Sequence, residues 1–127
     1  MILGIGTDIT SVERFNNSRQ HMDRLADKIL TDSEQEEYQK LNDNHGNFLA
    51  KRWAVKEAVS KAFGTGISGE TRWKSIEIRH NKHTGAPFIC FYNTLKDSVE
   101  TLGARCHITL SDEGTMVAAF AVIEYKN

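Results

Sequence analysis

The stretch "FLAKRWAVKEAVSKAFGTG", residues 48–66, decides the fold of this chain. Its apolar residues recur at the spacing of an α-helix, and it contains no proline. Asn47 stands before it as a candidate N-terminal cap, and Gly64 follows the last apolar residue as a stop signal. The stretch therefore predicts a helix over residues 48–63, the longest in the sequence, with the other elements arranged around it.

The segments on either side of this helix change between strand-like and helical patterns. The predicted strands are residues 2–9, 73–80, 87–92, 106–111 and 116–125. A first predicted helix begins at a capping box over Thr10–Glu13, and Asn-Asn-Ser at 16–18 can break it before residues 22–30. A second begins at a capping box over Thr31–Glu34 and ends near Leu41. A third covers residues 93–102 and stops at Gly103. This order predicts an α+β fold, a mostly antiparallel sheet with one long central helix, in a single domain over residues 1–127.

Composition narrows the possible functions. A chain of 127 residues has the size of one domain, and its formal net charge of −1 argues against a general affinity for nucleic acid. The two cysteines, Cys90 and Cys106, form no CxxC motif, so we interpret them as reduced, buried thiols. The N-terminus lacks the pattern of a signal peptide, and no apolar run is long enough to cross a membrane. We therefore expect a cytoplasmic protein without nucleic-acid or membrane partners.

The central helix places an isolated carboxylate among cations. Glu57 shares a helix face with Trp53 and Lys61, and Lys51, Arg52 and Lys56 lie nearby in sequence. An exposed Glu57–Lys61 pair would contribute only about 0.3–0.5 kcal/mol and would need no further explanation. The surplus of cations and the Gly-Thr-Gly turn at 64–66 instead favour a phosphorylated ligand, with Glu57 holding a metal ion that bridges to its phosphate.

A second carboxylate is available on the first predicted strand. Gly4, Gly6 and Asp8 alternate onto one face, and the two glycines leave a clearing beside Asp8. Either a ligand or the small-residue edge of the helix, formed by alanines 50, 54 and 58, could fill that clearing. Because Mg²⁺ usually takes one or two protein carboxylates, Asp8 and Glu57 together would suffice. The alternative is that Asp8 only caps the helix that follows it.

Two quoted segments carry a resemblance to a known family. "GIGTDI" at 4–9 and "FLAKRWAVKEAVSKAFGTGI" at 48–67 resemble the 4′-phosphopantetheinyl transferases, and most closely their short bacterial type, the holo-acyl-carrier-protein synthases. The resemblance extends over essentially the whole chain. It includes Arg14 after the first motif, the Gly-x-Pro of residues 85–87, and "HITLSDE" at 107–113.

The resemblance implies a specific reaction and assembly. Such enzymes transfer 4′-phosphopantetheine from coenzyme A to a serine of apo-acyl carrier protein, with Mg²⁺, and release adenosine 3′,5′-bisphosphate. The fold would be the α+β unit of that family. The short members work as homotrimers with active sites between subunits, so a homotrimer is expected here.

The resemblance also implies roles for individual residues. Asp8 and Glu57 would hold Mg²⁺ and, with Lys61, form the catalytic set, Lys61 meeting a phosphate oxygen. Glu57 would accept the serine proton directly or through a water on the metal, and the sequence leaves both routes open. The residues expected to contact coenzyme A are Arg52, Lys61, Gly64, Thr65, Gly66, Pro87 and His107, and those expected to contact the acidic carrier protein are Arg14 and Arg24.

Two other functions remain open at the level of sequence. One is a different Mg²⁺-dependent phosphotransferase or nucleotide hydrolase, although the common GxxxxGK[ST] and GxGxxG phosphate-binding motifs are absent. The other is a catalytically silent domain that binds coenzyme A or serves as an interaction module. The presence of Asp8, Glu57 and Lys61 together argues against a silent domain.

Overall fold

Two antiparallel sheets and four helices make up the computed structural model, which describes residues 1–125. A three-stranded sheet has the order β1-β5-β4, and β2 pairs with β3 in a separate two-stranded sheet. The α+β prediction with antiparallel sheets is therefore confirmed. The elements are β1 (Ile2–Ser11), α1 (Arg19–Ile29), α2 (Asp32–Lys40), α3 (His45–Ala62), β2 (Ile76–His80), β3 (Pro87–Phe91), α4 (Asn93–Leu102), β4 (Ala104–Glu113) and β5 (Met116–Tyr125), with single turns of 3₁₀ helix at Val12–Arg14 and Trp73–Ser75.

The long helix α3 packs against one face of the three-stranded sheet, which we call the inner face. Gly4 and Gly6 of β1 lie directly under it, where a Cβ atom would come within 2.0 Å of the carbonyl oxygen of Ala62 and 1.9 Å of that of Ala58. The clearing predicted beside Asp8 is thus filled by the backbone of α3 and not by a ligand. Strand β5 contributes the buried core of this layer through Val117, Ala119, Ala121 and Ile123.

The opposite face of the same sheet, which we call the outer face, is open. Ile5 and Ile9 of β1 are 63% and 67% exposed, and they lie beside Phe120 and Met116 of β5. The sequence of β5 is almost continuously apolar, which is typical of a strand covered on both faces. Within residues 1–125, only the inner face receives a helix.

The helix start predicted at Thr10–Glu13 is wrong. Thr10 and Ser11 pair with Val117 and Met116 as the end of β1, so the Thr10–Glu13 capping box does not form. Ser11 instead caps the short turn that follows, and the chain is not helical again until Arg19. The second capping box, over Thr31–Glu34, is present as predicted.

The helix α3 begins at His45, before the predicted cap at Asn47. Asn44 precedes it with a φ of 60°, and its side chain makes no capping hydrogen bond. Tertiary packing explains the earlier start, because Gly46 is buried against the Asn16 side chain and His45 packs edge-on against Tyr38 at 5.1 Å between ring centres. None of the helices in residues 1–125 has the length and apolar character needed to cross a membrane.

Candidate active site

Asp8, Glu57 and Lys61 meet where β1 crosses under α3. Asp8 points from the inner face toward the helix, and Lys61 Nζ lies 3.1 Å from its Oδ1 atom. The same ammonium group donates to the carbonyl oxygen of Thr7 at 3.0 Å. Since Gly4 and Gly6 allow the helix backbone to approach β1 so closely, the two motifs of the sequence become one site.

The two carboxylates of this site influence each other, and one of their oxygens has no partner among the described residues. The Oδ2 atom of Asp8 is buried without a hydrogen-bond partner among the described residues. Burial, and then the negative charge of Asp8, raise the pKa of Glu57, while Lys61 and Arg14 oppose that shift. A cation between the two carboxylates would satisfy both, and an all-oxygen donor pair suits Mg²⁺. Residues 1–125 contain no cluster of three or more His, Cys, Asp or Glu side chains that could form a fuller cage.

Arg14 lies at the rim of this site. Its guanidinium group stacks 5.0 Å from the ring centre of Trp53, one turn before Glu57 on α3. Arg24 is exposed on α1, whereas Arg14 belongs to the separate 3₁₀ turn at Val12–Arg14. Because residues 15–18 separate that turn from α1, Arg14 and Arg24 do not lie on one continuous helix.

The other cations of α3 are paired with acids from distant parts of the chain. Lys51 contacts Asp112 at 3.2 Å, and Arg52 contacts Glu37 at 2.7 Å. Lys56 is completely buried and bonds to Glu34 at 2.6 Å, so the expectation that it helps bind a phosphate is wrong. The excess of charge seen in the helix sequence is largely balanced by tertiary contacts.

Glu34 is a structural residue that sequence reasoning missed. Its carboxylate accepts from the buried Lys56 ammonium and also from the backbone N–H groups of Thr31 and Ile78, both at 3.0 Å. It thus links α2, α3 and β2. Its capping role was visible in the spacing from Thr31, but no pattern in the sequence indicates its burial.

The turn Gly64-Thr65-Gly66 ends α3 by using its own amides. Gly64 N–H donates to Lys61 O at 2.9 Å, and the N–H groups of Thr65 and Gly66 donate to Ser60 O at 3.3 and 3.2 Å. Both glycines have positive φ angles, 80° and 64°, which explains their residue type. These backbone donors are engaged, so the turn offers a ligand an open surface and not a set of unpaired N–H groups.

Pro87 and Arg52 line a separate cavity of about 270 Å³ beside the end of β4. His107 lies elsewhere, on the outer face of the sheet, where its Nε2 atom is 2.8 Å from Glu124. Because Asp8 points to the inner face, one chain holds Asp8 and His107 on opposite sides of the same sheet. The structure therefore brings Asp8, Glu57 and Lys61 together but leaves His107 and the Pro87 cavity apart from them.

Comparisons with known proteins find relatives of one kind along nearly the whole chain. Residues 4–114 match the model of the 4′-phosphopantetheinyl transferase superfamily. A holo-[acyl-carrier-protein] synthase of Dechloromonas aromatica is 39% identical over 126 residues, covering 98% of this chain and 99% of the relative. That of Erwinia tasmaniensis is 41% identical over 125 residues, covering 97% and 98%.

Solved structures give the same result. The holo-[acyl-carrier-protein] synthase of Neisseria meningitidis superposes with a TM-score of 0.88 at 39% identity, covering 98% of this chain and 99% of that one. The enzyme of Bacillus anthracis, crystallised in complex with coenzyme A (3′,5′-ADP), gives a TM-score of 0.82 at 31% identity, with 99% of each chain covered.

Proposed function

The chain belongs to the 4′-phosphopantetheinyl transferase superfamily, in its short holo-acyl-carrier-protein synthase type, and we propose that Asp8, Glu57 and Lys61 are the residues that carry its reaction. It transfers 4′-phosphopantetheine from coenzyme A to a serine of apo-acyl carrier protein, giving holo-acyl carrier protein and adenosine 3′,5′-bisphosphate. The observation that supports the residue assignment is the meeting of two carboxylates and one ammonium group under α3.

We assign Asp8 and Glu57 to binding of Mg²⁺. The unpartnered Oδ2 atom of Asp8 and the raised pKa of Glu57 both fit a cation held between them. When bound, the metal supplies positive charge beside the pyrophosphate of coenzyme A. Two carboxylates leave the remaining coordination positions to water and phosphate oxygens, which is the usual arrangement for Mg²⁺.

Lys61 is assigned to a phosphate oxygen of coenzyme A, and Glu57 to the proton of the attacking serine. An ammonium group has three donors, and Lys61 uses two of them on Asp8 and Thr7, so one remains for a phosphate oxygen. Lys61 is half exposed, which allows that donor to reach a ligand. Glu57, with its raised pKa, is suited to accept the proton of the attacking serine.

The nucleotide end of coenzyme A is assigned to more distant residues. The cavity beside Pro87 also contains Thr109 and Ser111, and Arg52 forms part of its wall. Glu37 competes for the Arg52 guanidinium, so a phosphate there would have to share it. Gly64, Thr65 and Gly66 would border the ligand through their open surface, and His107 would bind a phosphate or the ribose.

The placement of His107 supports a homotrimer with shared sites. Its side chain lies on the opposite side of the sheet from Asp8 of the same chain, so a site that uses both needs a second subunit. The outer face around Ile5, Ile9 and Phe120 is apolar and open, as expected for a surface that a neighbouring copy covers.

Arg14 and Arg24 are assigned to the carrier protein. Both are exposed, and Arg14 stands at the rim of the site where the serine must arrive. An Arg14→Ala enzyme with an unchanged KM for the carrier would remove Arg14 from this interface.

We further propose that residues 1–127 act as one transferase unit in the cytoplasm, where the two free cysteines, Cys90 and Cys106, would stay reduced.

One experiment separates this function from its alternatives. Purified protein is incubated with coenzyme A, Mg²⁺ and an apo-acyl carrier protein, and the carrier is then weighed by mass spectrometry. The transferase adds one phosphopantetheine group to the carrier. A silent coenzyme A-binding domain adds nothing, and a hydrolase degrades the nucleotide while the carrier mass stays constant. Omission of Mg²⁺ tests the metal assignment in the same assay.

A further inference from the structure

Arg52 carries a buried guanidinium group that is paired at close range with a single carboxylate. Its side chain is 7% exposed, and its Nη2 atom donates to Glu37 Oε2 at 2.7 Å. Its Nε atom has no hydrogen-bond partner within residues 1–125, and Oε2 of Glu34 lies 3.5 Å from it. Phe48 covers one face of the group, with 4.3 Å between the Arg52 Cζ atom and the ring centre. The fold therefore holds the guanidinium group in one plane.

Glu37 occupies the one nitrogen of this group that every two-point contact requires. A guanidinium group binds two oxygens of a phosphate in parallel through neighbouring N–H groups, either Nη1 with Nη2 or Nε with Nη2. Nη2 is common to both pairs, and in Arg52 it donates to Glu37. A phosphate can therefore bind Arg52 through two parallel hydrogen bonds only after the Glu37 carboxylate has moved away.

The two carboxylates near Arg52 differ in their freedom to move. Glu34 is buried, and it is bonded to the Lys56 ammonium and to the backbone N–H of Ile78. The Glu37 side chain is 52% exposed, and within residues 1–125 its carboxylate bonds only to Arg52. Glu37 can therefore rotate into solvent, whereas Glu34 is fixed.

The cavity of about 270 Å³ beside Pro87 repeats this arrangement with a second cation. Lys51 lines the cavity together with Arg52, and its ammonium group lies 3.2 Å from a half-exposed carboxylate, that of Asp112. Each pair keeps a cation from standing unpaired. Each carboxylate also opposes an incoming anion, because it occupies the cation and carries the same sign of charge as the anion.

We propose that Glu37 sets the affinity for coenzyme A by competing with one of its phosphate groups for Arg52 Nη2. This inference rests on the proposed function, which assigns Arg52 to coenzyme A. Each binding event breaks the Arg52–Glu37 ion pair and forms an Arg52–phosphate pair in its place. The exchange runs in reverse when adenosine 3′,5′-bisphosphate leaves, since this product keeps the 3′-phosphate and one phosphate of the pyrophosphate. Glu37 therefore weakens substrate binding and favours release of the product.

The test is Glu37→Gln, which keeps the size of the side chain and replaces the carboxylate by a neutral, weaker acceptor. We expect the Kd for coenzyme A, measured by calorimetry with Mg²⁺ and without carrier protein, to fall about fivefold. The Kd for adenosine 3′,5′-bisphosphate should fall in parallel. Glu36→Gln is the matched control and should leave both constants unchanged, because Glu36 is the exposed neighbour on α2 and forms no ion pair within residues 1–125.

Thermal unfolding separates competition from a structural role of the same ion pair. Without ligand, Glu37→Gln should unfold at a slightly lower temperature, because the Arg52–Glu37 pair is lost. The increase in unfolding temperature caused by coenzyme A should become larger, because binding no longer has to break that pair. An ion pair that only shaped the cavity would make this increase smaller. Glu37→Ala removes the acceptor completely and should strengthen coenzyme A binding at least as much as Glu37→Gln.

Dephospho-coenzyme A identifies the phosphate that competes with Glu37, because it lacks the 3′-phosphate and keeps the pyrophosphate. If Glu37→Gln strengthens the binding of coenzyme A but not that of dephospho-coenzyme A, Arg52 binds the 3′-phosphate. Equal strengthening for both compounds assigns Arg52 to the pyrophosphate. Both results support competition at Arg52.

The outcomes separate this inference from the function itself. If the unmodified enzyme fails to label the carrier, the proposed function is wrong. If it labels the carrier but Glu37→Gln binds coenzyme A with unchanged or lower affinity, the competition proposal is overturned and the transferase stands. Equal strengthening by Glu36→Gln would mark a general effect of net charge and would also overturn the proposal.

Discussion

At the residue scale, the two oxygens of Asp8 have different environments. Oδ1 faces the Lys61 ammonium, whereas Oδ2 is buried with no partner and lies near a second carboxylate, Glu57. A buried carboxylate oxygen without a donor destabilises a fold, so its presence indicates a function that requires it. We therefore propose that the pair reduces the stability of the fold and that it binds a cation.

Neutralising either carboxylate should abolish transfer without unfolding the protein. Asp8→Asn and Glu57→Gln keep the size of the side chain and remove one charge each. We expect turnover to fall by about 10²–10⁴-fold, measured as carrier labelling across a range of Mg²⁺ concentrations. Near-normal turnover of either variant at limiting Mg²⁺ would reject the assignment, while circular dichroism checks that each variant is folded.

Glu57 should titrate above its usual range in the metal-free protein. Its pKa is raised from 4.5 by burial and then by the charge of Asp8, so the folded protein holds this proton more tightly than the unfolded chain. The contribution of Glu57 to stability is therefore lost as pH rises from about 4.5 through the raised pKa. Asp8→Asn should lower the Glu57 pKa, as followed by NMR of the carboxyl carbon, and an unchanged titration would show that the two groups do not interact.

At the element scale, the contact between β1 and α3 controls the geometry of the site. Gly4 and Gly6 remove two side chains so that the backbone of α3 can lie on the strand, and Asp8 then meets Lys61. The contact atoms are carbonyl oxygens of α3, which cannot rotate away. The separation between strand and helix is therefore fixed by the absence of two Cβ atoms.

Gly6→Ala should separate these two elements. Its Cβ would stand 1.9 Å from the Ala58 carbonyl oxygen, and we expect a loss of about 1–3 kcal/mol or more in the free energy of unfolding, measured with urea. The transfer rate of the folded variant should also fall, because Asp8 moves away from Glu57. Adding Ala58→Gly should not restore either property, since the clash is with backbone, and full restoration would contradict this account.

Sequence predicted the local elements better than the contacts between them. The periodicity of residues 48–63 and the alternation of Gly4, Gly6 and Asp8 identified the helix, the strand and the three residues that meet between them. The partners of Lys51, Arg52 and Lys56 could not be predicted, because those ion pairs join residues far apart in the chain. The Thr10 cap failed for a similar reason, since pairing with β5 extends β1 beyond its local signal.

At the scale of the whole molecule, the three-stranded sheet carries the proposed active-site residue Asp8 on its inner face and an open apolar surface on its outer face. Asp8 and the inner face meet α3, while Ile5, Ile9 and Phe120 lie on the outer face with His107. We propose that neighbouring copies cover this outer face and that each site takes His107 from another subunit.

Mixed oligomers test this shared site. Glu57→Gln chains and His107→Ala chains are each expected to be inactive, and they are unfolded and refolded together. Some interfaces then combine an intact Glu57 with an intact His107, so part of the activity should return. A fully active species with the light-scattering mass of one chain would refute the trimer. If hetero-oligomers form but remain inactive, the sites are not shared in this way.

The alternation of β1 also affects when the enzyme first becomes active. Asp8 faces inward only while Ile5 and Ile9 face outward, because successive strand residues point to opposite sides. A one-residue slip in the pairing of β1 with β5 would turn Asp8 away from α3 and would turn Ile5 and Ile9 away from the outer face. If assembly completes the site, a newly made subunit cannot consume coenzyme A before it has found its partners. The rate of coenzyme A turnover per subunit would then depend on subunit concentration.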